Sequence, residues 1–200
     1  MDTRQRIVAE ATRQLTRTGY AAFTIAAVRD ALELSSGSMF HAFASKPALA
    51  AAVYVENMAE YQRSALAAIR RSSDPKRGIC AWIAAHLGWI EDHRDVARYL
   101  FSTLPDDVMA EAAPALAEHN AAFYAALEQL FENAAAAGLM GRLERRVAQV
   151  ICIGPAHEYG RQWTRGDVAT PPRKLSRTLQ RAALAGLAAT RTARTAKEPS

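Results

Sequence analysis

Three small residues in succession, Ser36, Gly37 and Ser38, with Phe40, His41 and Lys46 close behind, give this chain a surface suited to a polyanion. Small side chains let the backbone amides and hydroxyls approach a phosphate or a base edge, where bulky ones would hold a duplex away. Phe40 offers an apolar edge to a thymine methyl, His41 a ring nitrogen to phosphate or base, and Lys46 a charge to phosphate. Ser35 precedes this run as the N-cap of a short helix. Thr24 stands in the same relation to an earlier one, whose apolar positions are Ile25, Val28 and Leu32. Met39 and Phe43 fall on the inward register of the later helix, leaving Phe40 and His41 outward. Ser45 caps one more helix, with Pro47 tolerated in its first turn.

A second set of residues suggests a different chemistry. Trp82, His86, Trp89 and His93 keep to one helical face, and Asn120, Phe123, Leu127 and Leu130 do so further on. An apolar pocket with a few placed polar groups is how small-molecule sites are built. Trp82, His86, Trp89, Phe101, Asn120, Phe123 and His157 are therefore candidates to line an effector pocket, each with the alternative of being ordinary core. Metal ligation is not expected: His86 and His93 are two turns apart, with no cysteine or carboxylate at a usual spacing. No catalytic residue and no cofactor is expected either. Ser35–Ser38 has no strand before it to make a nucleophile elbow, and Gly138–Gly141 is too short for a dinucleotide loop.

The elements that must carry these residues are helical throughout. Strand-like alternation is scarce, and alanine fills most segments. Capping residues, prolines and glycines predict helices over 3–18, 24–31, 35–42, 46–71, 75–93, 94–103, 106–138, 142–166 and 172–193. Pro114 suggests a late start or a kink in the seventh, and Gly154-Pro155 a bend in the eighth. With 200 residues, half of them hydrophobic, the chain is large enough for a substantial core. No apolar run approaches the roughly 20 residues a bilayer requires, and MDTRQRIVAE lacks a signal-peptide core, so a cytoplasmic protein with no membrane association is expected. In that reducing setting Cys80 and Cys152 read as two buried thiols. The net charge of +5 is concentrated after Gly160 and does not by itself argue for nucleic acid.

Over the first fifty residues the chain resembles the TetR family of transcriptional repressors. The likeness is carried by an amphipathic first helix (Ile7, Ala11, Leu15), Gly19-Tyr20, Phe23-Thr24 and the run SSGSMFHAF followed by SK. Beyond these, HRDVARYLFS, GPAHEY and RQWTRG are similar to pieces of the family's effector-binding region. Leu32-Glu33 replaces the usual Ala-Gly of the turn, and Ala42 a common aromatic or histidine. A glycine there supplies a positive φ, so Glu33 in that conformation should cost about 1 kcal/mol.

The resemblance implies an all-α fold: an N-terminal helix-turn-helix DNA-binding domain over 1–46, a helical ligand-binding and dimerisation domain over 47–193, and a tail over 194–200. It implies a homodimeric repressor that binds a palindromic double-stranded DNA operator and is released by a small hydrophobic effector. Thr24, Ser35, Ser36, Gly37, Ser38, Phe40, His41 and Lys46 are the expected DNA-binding residues. The last two helices are expected to pair with their mates, through positions such as Val147, Val150, Ile151, Leu175, Leu179 and Leu187. The competing reading is a helical small-molecule-binding or catalytic protein whose N-terminal subdomain serves only for packing.

Overall fold

The computed structural model describes residues 2–191, and the tail expected over 194–200 lies outside them. The described residues form nine α-helices and one 3-10 turn: α1 (Thr3–Ala22), α2 (Ile25–Ala31), α3 (Ser36–Ala42), α4 (Lys46–Arg70), α5 (Pro75–Asp92), α6 (Arg94–Leu100), α7 (Asp106–Ala136), α8 (Arg145–Arg165), the turn Pro172–Leu175 and α9 (Ser176–Ala189). No strand occurs among them. The fold is all-α, as expected.

Local chemistry explains most boundaries. Asp2 and Gln5 form a reciprocal capping box at the start of α1. Gly19, at φ 76 and ψ 166, breaks the helix where the sequence suggested, and one further turn carries α1 on to Ala22. Asp74 caps α5 by accepting the Arg77 amide at 3.0 Å, with Pro75 in the first turn. α7 ends in a Schellman motif: Gly138, at φ 70, donates to the Ala135 carbonyl and Leu139 to that of Ala134. Gly166 closes α8 in the same way.

Other expected bounds are corrected. α6 stops at Leu100 rather than 103, where Ser102 turns its hydroxyl back onto the Tyr99 carbonyl. α8 begins three residues late, at Arg145, after an extended Glu144. The last segment opens as a 3-10 turn over Pro172–Leu175, its α-helix beginning only at Ser176; it ends at Ala189. α7 and α8 run unbroken past Pro114 and Pro155.

The described residues pack as two compact units, one made of 2–60 with Arg94–Asn120, the other of Tyr61–His93 with 121–191. In the first, Ile7, Leu15, Phe23, Val28, Met39, Phe43 and Leu49 are buried. Gln14 braces α1 to α2 by donating to the Ala27 carbonyl, and Arg98 of α6 donates to the Thr16 carbonyl at 2.9 Å. Tyr99 donates its hydroxyl to the Ala50 carbonyl at 3.1 Å.

In the second unit, α5, α8 and α9 enclose a core of Ile79, Trp82, Ile83, Leu87, Leu127, Cys152 and Leu187. Gly160 admits Ile90 so closely that a Cβ there would lie 2.5 Å from its Cδ1. Arg173 fastens the 3-10 turn to the end of α5, its amide on Glu91 and its guanidinium on Asp92. Cys152 is buried and Cys80 half-buried, both as free thiols; burial raises the pKa of Cys80 and pushes that of Cys152 up to about 12.

Candidate nucleic-acid interface

The short helices α2 and α3 are set by their caps. The Thr24 hydroxyl accepts the Ala27 amide at 3.2 Å, and the Ser35 hydroxyl accepts the Ser38 amide at 3.1 Å. Val28 and Met39 are fully buried, anchoring one face of each helix. Between them the chain turns on Glu33, at φ 53, the one non-glycine residue with positive φ among those described. Glu33 donates to the Asp30 carbonyl and Leu34 to that of Arg29, so Glu33 occupies the left-handed position of a Schellman motif. The turn therefore has the geometry the family's glycine would give, with a side chain strained into it. Glu33→Gly is expected to stabilise the fold by about 1 kcal/mol. An unchanged or lower melting temperature would show that the strain is relieved elsewhere.

With Met39 and Phe43 inward, α3 presents Ser36, Gly37, Ser38, Phe40 and His41 to solvent, and Phe40 is 56% exposed. A large aromatic standing in water on a seven-residue helix contributes nothing to the core. Thr24 and Ser35 are exposed beside them. Lys46 is half-buried, its ammonium 4.4 Å from the centre of the Tyr20 ring and 3.4 Å from the Ala21 carbonyl. Ser45 caps α4 through the Ala48 amide. Two arginines that the sequence did not single out belong to this surface. Arg29 donates to the Ser36 hydroxyl at 3.3 Å and pairs with Asp30, while Arg4 reaches the Ala42 carbonyl and lies 4.2 Å over the Phe43 ring.

The pocket candidates divide. Phe101 and Asn120 belong to the first unit. Trp82, His86, Trp89 and Phe123 are buried in the second, around Tyr61, a residue the sequence reading passed over. The Tyr61 ring lies 5.4 Å from both His86 and Trp89 and 6.5 Å from Phe123, and its hydroxyl is 2.9 Å from His86 Nδ1. His157 stacks on His86 at 5.7 Å. Trp89 stacks on His93 at 4.8 Å. Burial, with a smaller contribution from His157, depresses the His86 pKa to about 3, so its imidazole is neutral. Burial also raises the Tyr61 pKa. No group of three or more metal-ligating side chains comes together among the described residues.

Residues 7–53 match the family described as bacterial regulatory proteins, tetR family. A search of curated proteins gave no significant match. Among solved structures, the regulator FadR from Bacillus subtilis in complex with stearoyl-CoA superposes with a TM-score of 0.76 at 14% identity, over 91% of this chain and 98% of the other. A tetR-family regulatory protein from Rhodococcus RHA1 gives 0.66 at 20% identity, over 94% and 98%. AibR, in complex with isovaleryl coenzyme A and operator DNA, gives 0.69 at 15% identity, over 90% and 96%. These likenesses extend the family's fold past the matched head. The head of the chain, with its capped α2 and α3 joined by a glycine-type turn, is thus that of the tetR family of bacterial regulatory proteins, and the rest of the chain shares the fold of such regulators.

Proposed function

We propose that the protein is a cytoplasmic homodimeric repressor that binds a palindromic operator and leaves it when a small, largely apolar effector enters the second unit. In this reading residues 1–46 form the DNA-binding domain and 47–193 the ligand-binding and dimerisation domain. The observation that carries it is the outward face of α3, where small residues, an exposed Phe40 and His41 surround a backbone held rigidly by Ser35, Met39 and Phe43. Two such helices, related by a twofold axis, would enter successive major grooves about 34–36 Å apart. Ser36, Gly37, Ser38, Phe40 and His41 read or seat on the duplex, with Ser35 capping the helix and Thr24 and Lys46 at phosphates.

Exposed Val147 and Val150 on α8 support the pairing. They leave an apolar strip on a helix otherwise rich in polar residues, as a dimer face requires. Support for an effector comes from the buried aromatic cluster around Tyr61 and from the ligands named for FadR and AibR. α4 and α7 each supply residues to both units, which gives effector binding a covalent route to the head.

Binding to DNA from around the protein's own coding region, followed by gel shift, tests the reading. His41→Ala and Lys46→Ala are expected to weaken operator binding with helical content intact. Lys46→Ala should also lower the slope of log affinity against log salt by about one per head. Unchanged affinity at fixed salt would remove these residues from the interface. Sedimentation should give twice the 21.8 kDa chain mass, and a monomer would rule out the paired heads.

A further inference from the structure

Three buried side-chain nitrogens of the second unit stand without a hydrogen-bond partner. Trp82, His86 and Trp89, at 1%, 3% and 5% exposure, each keep a side-chain nitrogen without a hydrogen-bond partner: the two indole Nε1 atoms and His86 Nε2. Their spacing of four and three residues places all three on one face of α5, around Tyr61. Their proton states follow from the neighbours. An indole N–H can only donate, and that of Trp82 lies near enough to the Tyr61 oxygen to lower the hydroxyl's pKa, though outside hydrogen-bond geometry. In one of the two neutral tautomers the Tyr61 hydroxyl donates to His86 Nδ1, 2.9 Å away, and that is the tautomer we assign. Burial keeps the imidazole neutral, so its remaining proton is on Nε2. His86 Nε2–H and Trp89 Nε1–H are thus two buried donors with no acceptor, and natural interiors rarely leave such atoms unpaired.

A way in lies beside them. A surface cleft of about 400 Å³ is bounded by Tyr124, Arg145, Arg146, Val150, Ile153 and His157, and through Val150 it opens at the edge of the strip proposed for pairing. His157 both lines this cleft and stacks on His86, so its ring lies between the cleft and His86. The rim is cationic: Arg145 lies 4.1 Å over the Tyr124 ring and donates to Gln149, and Arg146 is exposed next to it.

Resting on the effector reading above, we infer that the effector is an acyl conjugate of an anionic carrier. Its uncharged carbonyl oxygen is held by Trp89 Nε1–H and His86 Nε2–H, and its anion lies at Arg145 and Arg146, with the His157 ring displaced between them. A bare carboxylate does not fit the inner position, since the neutral His86 supplies no countercharge. An alkane does not fit either, because it leaves both donors unpaired.

Octanoyl-CoA and S-octyl-CoA, which differ in one carbonyl, are the probes, and binding is followed by calorimetry and tryptophan fluorescence on the full chain. Octanoyl-CoA is expected to bind at least about tenfold tighter than S-octyl-CoA, the worth of a buried hydrogen bond. Trp89→Phe, which removes one donor and keeps an aromatic ring, should erase most of that gap while leaving S-octyl-CoA within about twofold. Arg146→Ala, at the surface, should weaken both ligands about equally. Equal affinity for the two probes in the wild type overturns the inference, as does a gap that survives in helical Trp89→Phe or an Arg146→Ala variant that binds both normally. Should Trp89→Phe not fold, the wild-type gap and the Arg146→Ala result decide. If neither probe binds, the assigned ligand class is wrong. The broader effector reading fails only if no compound in a panel of apolar molecules releases the operator.

Discussion

Gly37→Leu is expected to abolish operator binding by the proposed dimer while making its head more stable. A Cβ at Gly37 would meet only the Ser35 hydroxyl, at 3.9 Å, and the residue's backbone is ordinary helix, so the fold has room for a side chain. Leucine also favours the helix over glycine by up to about 1 kcal/mol. Toward the duplex the balance reverses. Four added carbons stand between two hydroxyl residues at the point where α3 must come nearest the groove, and they stand there in both heads. Loss of close contact at one base position is worth about 1–3 kcal/mol, so two half-sites together should lose on the order of a hundredfold or more. Fluorescence anisotropy at fixed salt, with a thermal melt of the same preparation, separates the two effects. A variant that melts higher and still binds would place the groove contact elsewhere than the opening of α3. Gly37→Ala should fall between, since a single methyl shifts the approach far less.

The features legible in the sequence are those written within a few residues. Thr24, Ser35, Ser45 and Asp74 cap their helices because a side-chain oxygen and an amide three residues on need only local chain to meet. The positive φ of Glu33 is implied only by the resemblance, through the glycine the TetR family usually has at that place in the turn, and no residue around Glu33 signals it. Partnerships made across the chain were not legible. Arg4 and Ala42 are 38 residues apart, and nothing near either one signals the other. Tyr61 carries no mark in the pattern of α4, since what makes it central is the arrival of His86 and Trp89 from α5 and Phe123 from α7. Phe101 and Asn120 looked equivalent to Phe123 as helical aromatic or amide positions, but tertiary packing puts them in the other unit. A division in chain order at residue 46 follows the expected functions. Packing instead splits α4 and α7 between two units, a property that no local signal carries.

Acid should unfold this protein through the same cluster. His86 titrates near 6.5 when unfolded and near about 3 in the native core. Above pH 6.5 both states hold a neutral imidazole, and its contribution to stability is fully present. As the pH falls below 6.5 the unfolded chain takes up a proton that the native core refuses. Stability is therefore lost progressively toward pH 3, by up to about 1.4 kcal/mol per pH unit. Between pH 7 and pH 5 the loss from this residue should be about 2 kcal/mol, a large share of a domain's ordinary reserve. His157, whose pKa burial also lowers, adds a loss of the same sign. Glu158, held near 2 by Arg161 and Gln162, responds only at lower pH, because its unfolded carboxyl titrates near 4.5. Urea unfolding at the two pH values, compared with His86→Gln, isolates the buried imidazole, since glutamine still offers Tyr61 a hydrogen-bonding partner but does not titrate. The wild type should lose about 2 kcal/mol more than the variant on going to pH 5. Equal losses would mean that the ring reaches water through the cleft at His157, and that the two unpaired donors behind it are already solvated.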